Sequence, residues 1–150
     1  MSKRIHDRCP DPPTITGLDV SPVVVARNRD SYAGQDFEFI LDDPAKMVGQ
    51  YDLITVRQVL QHNSNADVQR ILARLRGRSR YLVIADAVAR QPKVKNIDIA
   101  TGGWTRIPLR SGVFVDAEPF NVPVDEVVVI DWPPEGAVNC VLRVTFSCWI

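Results

Sequence analysis

Polar side chains close short apolar runs at four places in this sequence of 150 residues. Asp19 ends the run at 14–20, Asp42 follows 36–41, Arg57 and Gln58 follow 53–56, and Asp86 follows 81–85. If these runs are strands of one parallel sheet, their carboxyl ends lie where loops and helix N-termini converge and where such sheets bind ligands. A carboxylate at one tip accepts two hydrogen bonds from a ribose diol, and a second fixes an adenine amino group. Taken singly, each aspartate serves equally well as a cap for the following helix. Taken together, they point to a nucleotide-like ligand. His62 closes the segment YDLITVRQVLQH and is a general-base candidate, with a helix cap or packing residue as the plain alternative. Arg57, a charge at the end of an apolar run, must face a cleft or a partner. Asn96 and Asp98 offer contacts to an acceptor or simply form a turn. Trp104 and Arg106, beside Gly102-Gly103, pair a stacking surface with a clamp for a planar or anionic molecule, unless Trp104 only covers the sheet.

The elements that position these groups follow from local signals. A β-branched strand over 14–20 sits between Pro13 and the Ser21-Pro22 pair, and Ser21 caps a helix over 22–32 that Gly34 stops. A second strand spans 36–41. The third, 53–56, is apolar enough for a strand covered on both faces, and the segment 51–62 passes from it into a helical run without a turn signal. After Asn65, Ala66, Ile71, Leu72 and Leu75 recur at near-helical spacing with Arg70, Arg74 and Arg76 opposite, and Gly77 ends that helix. A fourth strand, again apolar on both faces, covers 81–85. Strands alternating with helices predict the α/β class, a mostly parallel sheet with helices on both sides. The irregular stretch 91–122 is expected to be an ordered functional loop. The β-rich runs 124–130 and 138–146, separated by DWPPEG, predict a C-terminal antiparallel pair.

Composition narrows the classes. At 45% hydrophobic, the length suits one domain over 14–150, preceded by an extended or disordered arm over 1–13 with three prolines. Eighteen basic and eighteen acidic side chains leave a formal net charge of zero without blocks of like charge, which disfavours a nucleic-acid partner. Cys9, Cys140 and Cys148 form no metal-binding spacing, so no metal is expected and the thiols suit a reducing compartment. With no secretory signal and no apolar run near the ~20 residues that cross a bilayer, the expectation is a soluble cytoplasmic protein with no membrane partner.

The series GLDVSP, FEFILDDP, YDLITVRQVLQH and RYLVIADA resembles successive strand ends of class I S-adenosylmethionine-dependent methyltransferases, and NIDIATGGWTRIPL with SGVFVDAEPFNVPV resembles the substrate-side loops of a bacterial subgroup. The resemblance covers nearly the whole chain from Thr14 onward. It implies a Rossmann-like methyltransferase sheet, S-adenosylmethionine as cofactor and a small-molecule acceptor. Asp19 would then hold the cofactor ribose, Asp42 would lie beside the adenine, and Val56, Arg57 and Gln58 would border the methionine part, with His62 just behind.

The sequence also departs from that family. The glycine-rich D/E-x-G-x-G loop, where missing side chains let backbone approach the cofactor, is not present, and the thirteen residues before Thr14 are too few for the strand, loop and helix that carry it. The expectation is that the first βα unit is missing. In the family's strand order that unit lies between the strands at 14–20 and 53–56, so its loss leaves a gap ~5 Å wider than one pairing distance. Direct closure, or completion by a homo-oligomer or complementing chain, is expected to answer it. Non-enzymatic binding or assembly, and another nucleotide-binding α/β protein, remain the alternative readings.

Overall fold

In the computed structural model, which describes residues 8–131 and 140–149, six strands sort into two sheets. The chain divides into two compact units, Met1–Met47 and Val48–Ile150.

The first unit is a single βαβ turn. Strand β1 (Ile15–Asp19) leads into helix α1 (Pro22–Ser31) and returns as β2 (Phe37–Leu41), which pairs parallel to β1 from Ile15 opposite Phe37 to Asp19 opposite Leu41. The local signals at 21–34 act as read from sequence. The Ser21 hydroxyl accepts from the Val24 amide at 3.4 Å, Pro22 opens the helix where its missing N–H costs nothing, and Gly34 takes a φ of +77° past the end. Gly17 is required for another reason. A Cβ there would stand 2.8 Å from the ring of Phe39, which packs against Tyr32 and Phe37 at centroid separations of 5.5 and 6.3 Å.

The second unit holds a four-stranded sheet in the order β3-β4-β6-β5, built from β3 (Tyr51–Arg57), β4 (Ser79–Ala89), β5 (Glu126–Asp131) and β6 (Cys140–Cys148). β3 pairs parallel to β4, β6 runs antiparallel to both β4 and β5, and so β3, β4 and β5 share one direction. The α/β class and the C-terminal antiparallel pair are therefore as expected. Helix α2 (Asn65–Leu75) buries Val68, Ile71, Leu72 and Leu75, and Ile54, Val56, Leu82 and Ile84 are buried along one face of the sheet. Each such side chain contributes about 1.5–3 kcal/mol of hydrophobic stabilisation. Val88, Phe114 and Val141 form a further buried cluster, and Gly112 lies so close beneath it that a Cβ there would meet Val88 at 2.5 Å.

Several expectations are corrected. β3 is covered on one face only, with Leu53, Thr55 and Arg57 exposed. No helix continues from β3: Gln58 turns the chain at a φ of +54°, one 3-10 turn follows at Leu60–His62, and α2 begins at Asn65. β4 runs on to Ala89, which puts Asp86 inside the strand instead of at its end. Among the described residues β1 pairs only with β2 and β3 only with β4, without the direct β1–β3 pairing that was one expectation. The DWPPEG loop, apart from Asp131, and the first seven residues of the expected arm lie outside the described residues; residues 8–14 are neither helix nor strand.

Candidate functional site

In the first unit, β1 and β2 place two aspartates at neighbouring tips. The Asp42 amide donates to the Asp19 carbonyl at 3.2 Å, extending the ladder by one bond. Each carboxylate uses one oxygen locally: Asp19 Oδ1 accepts from the Ser21 amide at 2.8 Å, and Asp42 Oδ1 from the Asp43 amide at 2.8 Å. The second oxygen of each has no hydrogen bond among the described residues, and both side chains are half-buried. Two partly exposed carboxylates on adjacent parallel strands, each with an uncommitted oxygen, suit hydroxyl or amino donors of a ligand.

In the second unit, the tips of β3 and β4 are organised quite differently. Val56 is buried, Arg57 is exposed, and the Gln58 amide donates to the Ala85 carbonyl at 2.8 Å, which holds the left-handed turn in place. That turn tucks the 3-10 segment toward β4. Buried Gln61 accepts from the Ala87 amide through Oε1 at 2.9 Å, and this bond fixes which end of its amide is nitrogen. Its Nε2 then donates to Nε2 of His62 at 3.0 Å, and the opposite ring nitrogen, Nδ1, meets the Trp104 carbonyl at 3.2 Å. Because a carbonyl only accepts, this arrangement requires the neutral His62 tautomer protonated at Nδ1. Both ring nitrogens are thus engaged, and neither is open as a general base in this arrangement. The role that His62 performs is to hold the Gly102-Trp104 loop, whose Gly102 amide also donates to the His62 carbonyl at 2.9 Å.

Arg106, expected to clamp an anion, is 1% exposed. Its Nε donates to Ile97 O at 2.7 Å, Nη2 to Asn63 O at 2.7 Å and to Asn65 Oδ1 at 2.9 Å, and Nη1 reaches Gln61 O and Leu60 O at 3.3 and 3.5 Å. Four of those five acceptors, all but Ile97 O, tie the loop after β4 to the segment after β3. Asn96 is equally committed: its side chain donates to Phe114 O and Glu118 O at 2.9 and 2.7 Å and accepts from the Phe114 amide at 2.7 Å. Asp98 Oδ1 accepts from the amides of Asn65 and Ile99, so it stabilises the start of α2. Thr101 donates to Asp67, and hydrogen bonds from Thr101 and Ser64 with the nearby Arg70 hold the Asp67 carboxyl below its ordinary range. Of the loop residues read as acceptor contacts, Asn96 and Arg106 are buried, whereas Asp98 and Trp104 are exposed, Trp104 at 79% beside the open Gly102-Gly103.

Asp86 is the group that sequence reasoning placed at a tip but left without a role. It is 2% exposed, and neither carboxylate oxygen closes a hydrogen bond among the described residues, although the amides of Val59, Leu60 and Gln61 face it and Arg106 lies near. Burial pushes its carboxyl up to about 7, with Gln61, Val59, Arg106 and Leu60 pulling weakly the other way. Burial likewise lowers Arg106, opposed by Asp98 and Asp86. Gln61 was also missed. Its signal was an amide side chain between apolar Leu60 and His62, in a run otherwise read as a helix.

No family model matches the sequence, and no curated protein does. Solved structures do. Magnesium protoporphyrin IX methyltransferase from Synechocystis PCC 6803, with S-adenosylmethionine bound, superposes with a TM-score of 0.59 at 16% identity over 90% of this chain and 59% of that one. The 1,6-didemethyltoxoflavin-N1-methyltransferase of Burkholderia thailandensis, holding 1,6-didemethyltoxoflavin and S-adenosylhomocysteine, gives 0.58 at 13% identity over 90% and 61%. TehB from Haemophilus influenzae gives 0.56 at 12% identity over 90% and 49%. The chain therefore has the Rossmann-like fold of class I methyltransferases, and it spans about three-fifths or less of each of these three proteins.

Proposed function

We propose that this chain is an S-adenosylmethionine-dependent methyltransferase-like protein that acts on a small-molecule acceptor. The observation that carries the reading is the pair of half-buried carboxylates, Asp19 and Asp42, at adjoining tips of parallel strands, each with one oxygen uncommitted. In this reading Asp19 accepts from the ribose hydroxyls and Asp42 lies beside the adenine. When bound, the cofactor supplies an electrophilic methyl group on a sulfonium. Transfer of that group is chiefly a matter of position, so the protein's task is to align an acceptor rather than to move a proton. Trp104, exposed on a loop tethered through His62, serves as a surface for a flat acceptor, while Asn96, Asp98 and Arg106 keep that loop in place. The fold shared with enzymes solved with S-adenosylmethionine or S-adenosylhomocysteine supports the reading.

A second reading, a methyltransferase-derived binding or assembly domain completed by a complementing chain, is favoured by one observation. β1 and β3 each have a parallel ladder on one side only among the described residues. Such edges leave backbone donors and acceptors that a further strand satisfies. Among the described residues no helix is long and apolar enough to cross a membrane.

Titration calorimetry with S-adenosylmethionine and S-adenosylhomocysteine tests both. Binding that disappears in Asp19→Ala supports the first reading. Undetectable or millimolar binding by the parent chain favours the second.

A further inference from the structure

The neutral balance of the whole chain, which disfavours a nucleic-acid partner, conceals a local excess. From Arg70 to Arg80 five arginines occur without an acid. They run from the second half of α2 into the first residues of β4, at the end of the second sheet opposite the carboxyl tips of β3 and β4. Arg70 is held by Asp67 at 3.0 Å, and Arg78 Nη1 donates to Gly49 O at 3.1 Å. Arg76 and Arg80 are exposed, and among the described residues neither guanidinium closes a hydrogen bond or an ion pair. Aromatic rings accompany these two cations. Arg76 lines a groove of about 360 Å³ between α2 and the segment 119–123, with Leu72, Phe120 and Trp149 among its walls. The Trp149 amide donates to the Arg80 carbonyl at 2.8 Å, so the tryptophan of the groove is the backbone neighbour of the second cation. The Arg80 guanidinium in turn lies 5.1 Å from the ring centroid of Tyr81, which is 43% exposed. Two carboxylates flank the region. Asp52 stands across from Arg80 on β3, and Asp125 Oδ2 accepts from the Cys148 amide at 2.6 Å.

We propose that this end of the sheet binds single-stranded nucleic acid, with bases stacked in the Phe120–Trp149 groove and on the Arg80–Tyr81 pair and phosphates met by Arg76 and Arg80. Charge and shape together select this occupant. Arginine offers a planar fork that matches phosphate and a flat face that stacks, and here each unengaged arginine adjoins an aromatic ring. A chain that carries a flat ring and a negative charge in every unit meets both features at each step. A single nucleotide would use one of the two sites, and an acidic peptide would leave the rings without a partner. The surface lies away from Asp19 and Asp42 in sequence and belongs to the second unit alone. It does not depend on the methyltransferase reading.

Fluorescence anisotropy of a labelled oligouridine of about twelve nucleotides tests it. The full chain is titrated in reductant, so that the exposed Cys148 does not link molecules, and at several salt concentrations. Affinity should fall as salt rises. Arg76→Gln combined with Arg80→Gln should weaken binding about tenfold and flatten the dependence of log affinity on log salt by about 1.4. Circular dichroism should not change, because both side chains are exposed. Tyr81→Ala should weaken binding about tenfold at every salt concentration without altering that slope, as expected for lost stacking. No binding by the parent, affinity unchanged in the variants, or equal affinity for polyphosphate, polyglutamate, uridine monophosphate or a duplex would each overturn the proposal.

Discussion

The two units treat a polar residue at a strand's carboxyl end in opposite ways. On β1 and β2 the aspartates stay half-buried, use one oxygen to cap the next turn, and leave the other uncommitted. Beyond β3 and within β4, the polar groups turn inward: Gln61, Asp86, Asn96 and Arg106 are all buried, and three of the four have their hydrogen bonds satisfied by the chain itself. Acidic and amide side chains in the same register of a βα pattern thus either stay open to solvent or become architecture, and burial decides which. A solvated carboxylate keeps its charge at little cost, whereas an enclosed one is destabilised unless neutralised or fully bonded.

Mutations should separate the two classes by size of effect. Arg106→Ala removes a buried cation and strands up to five acceptors, and it should lower unfolding stability by about 4 kcal/mol in a urea titration. A loss under ~1 kcal/mol would mean that the loop is not anchored there. Asp86→Asn probes the enclosed carboxyl through pH. The folded chain holds that proton up to about 7, while the unfolded chain releases it near the ordinary value of 3.8. Between those limits the folded state binds more protons, so stability is full below pH 4 and falls as pH rises to 7. Across roughly three units the loss reaches at most ~4 kcal/mol, and Asp86→Asn should flatten the profile and melt higher than the parent at neutral pH. An unchanged profile would place that carboxyl in water.

Gln61→Glu is smaller in energy, about 2 kcal/mol for a charge put in a buried site, and sharper in readout. A carboxylate still accepts from the Ala87 amide but cannot donate to His62, so the ring must carry its proton on Nε2. Nitrogen-15 shifts of His62 should report the Nδ1–H form in the parent and Nε2 protonation in the variant. Identical spectra would break the relay. Asp19→Ala, at the other extreme, forfeits one capping bond and should cost under ~1 kcal/mol, even where it abolishes cofactor binding.

How much of this was legible follows from the range of the signals. Helix α1 and its parallel strands could be read because Ser21, Pro22 and Gly34 act within a few residues of themselves. The segment after β3 could not, because its reversal rests on Gln58 in a left-handed conformation that glycine or asparagine more often announces. Asp86 was misplaced since nothing local marks a strand that continues through a charged residue to Ala89. Arg106 and Asn96 looked like ligand contacts for a comparable reason: their acceptors are up to 46 residues away in sequence. Exposed Leu53 shows the converse, an apolar strand whose second face the described chain leaves bare.

The stretch from 91 to 122 has little regular structure, but it is fastened at Asn96, Asp98, Thr101 and Arg106 to fixed points on α2 and the 3-10 turn before it. A protease should find few cleavable bonds there despite the absence of helix or strand. Insertions and deletions, which surface loops usually absorb, would pull every fastening out of register at once.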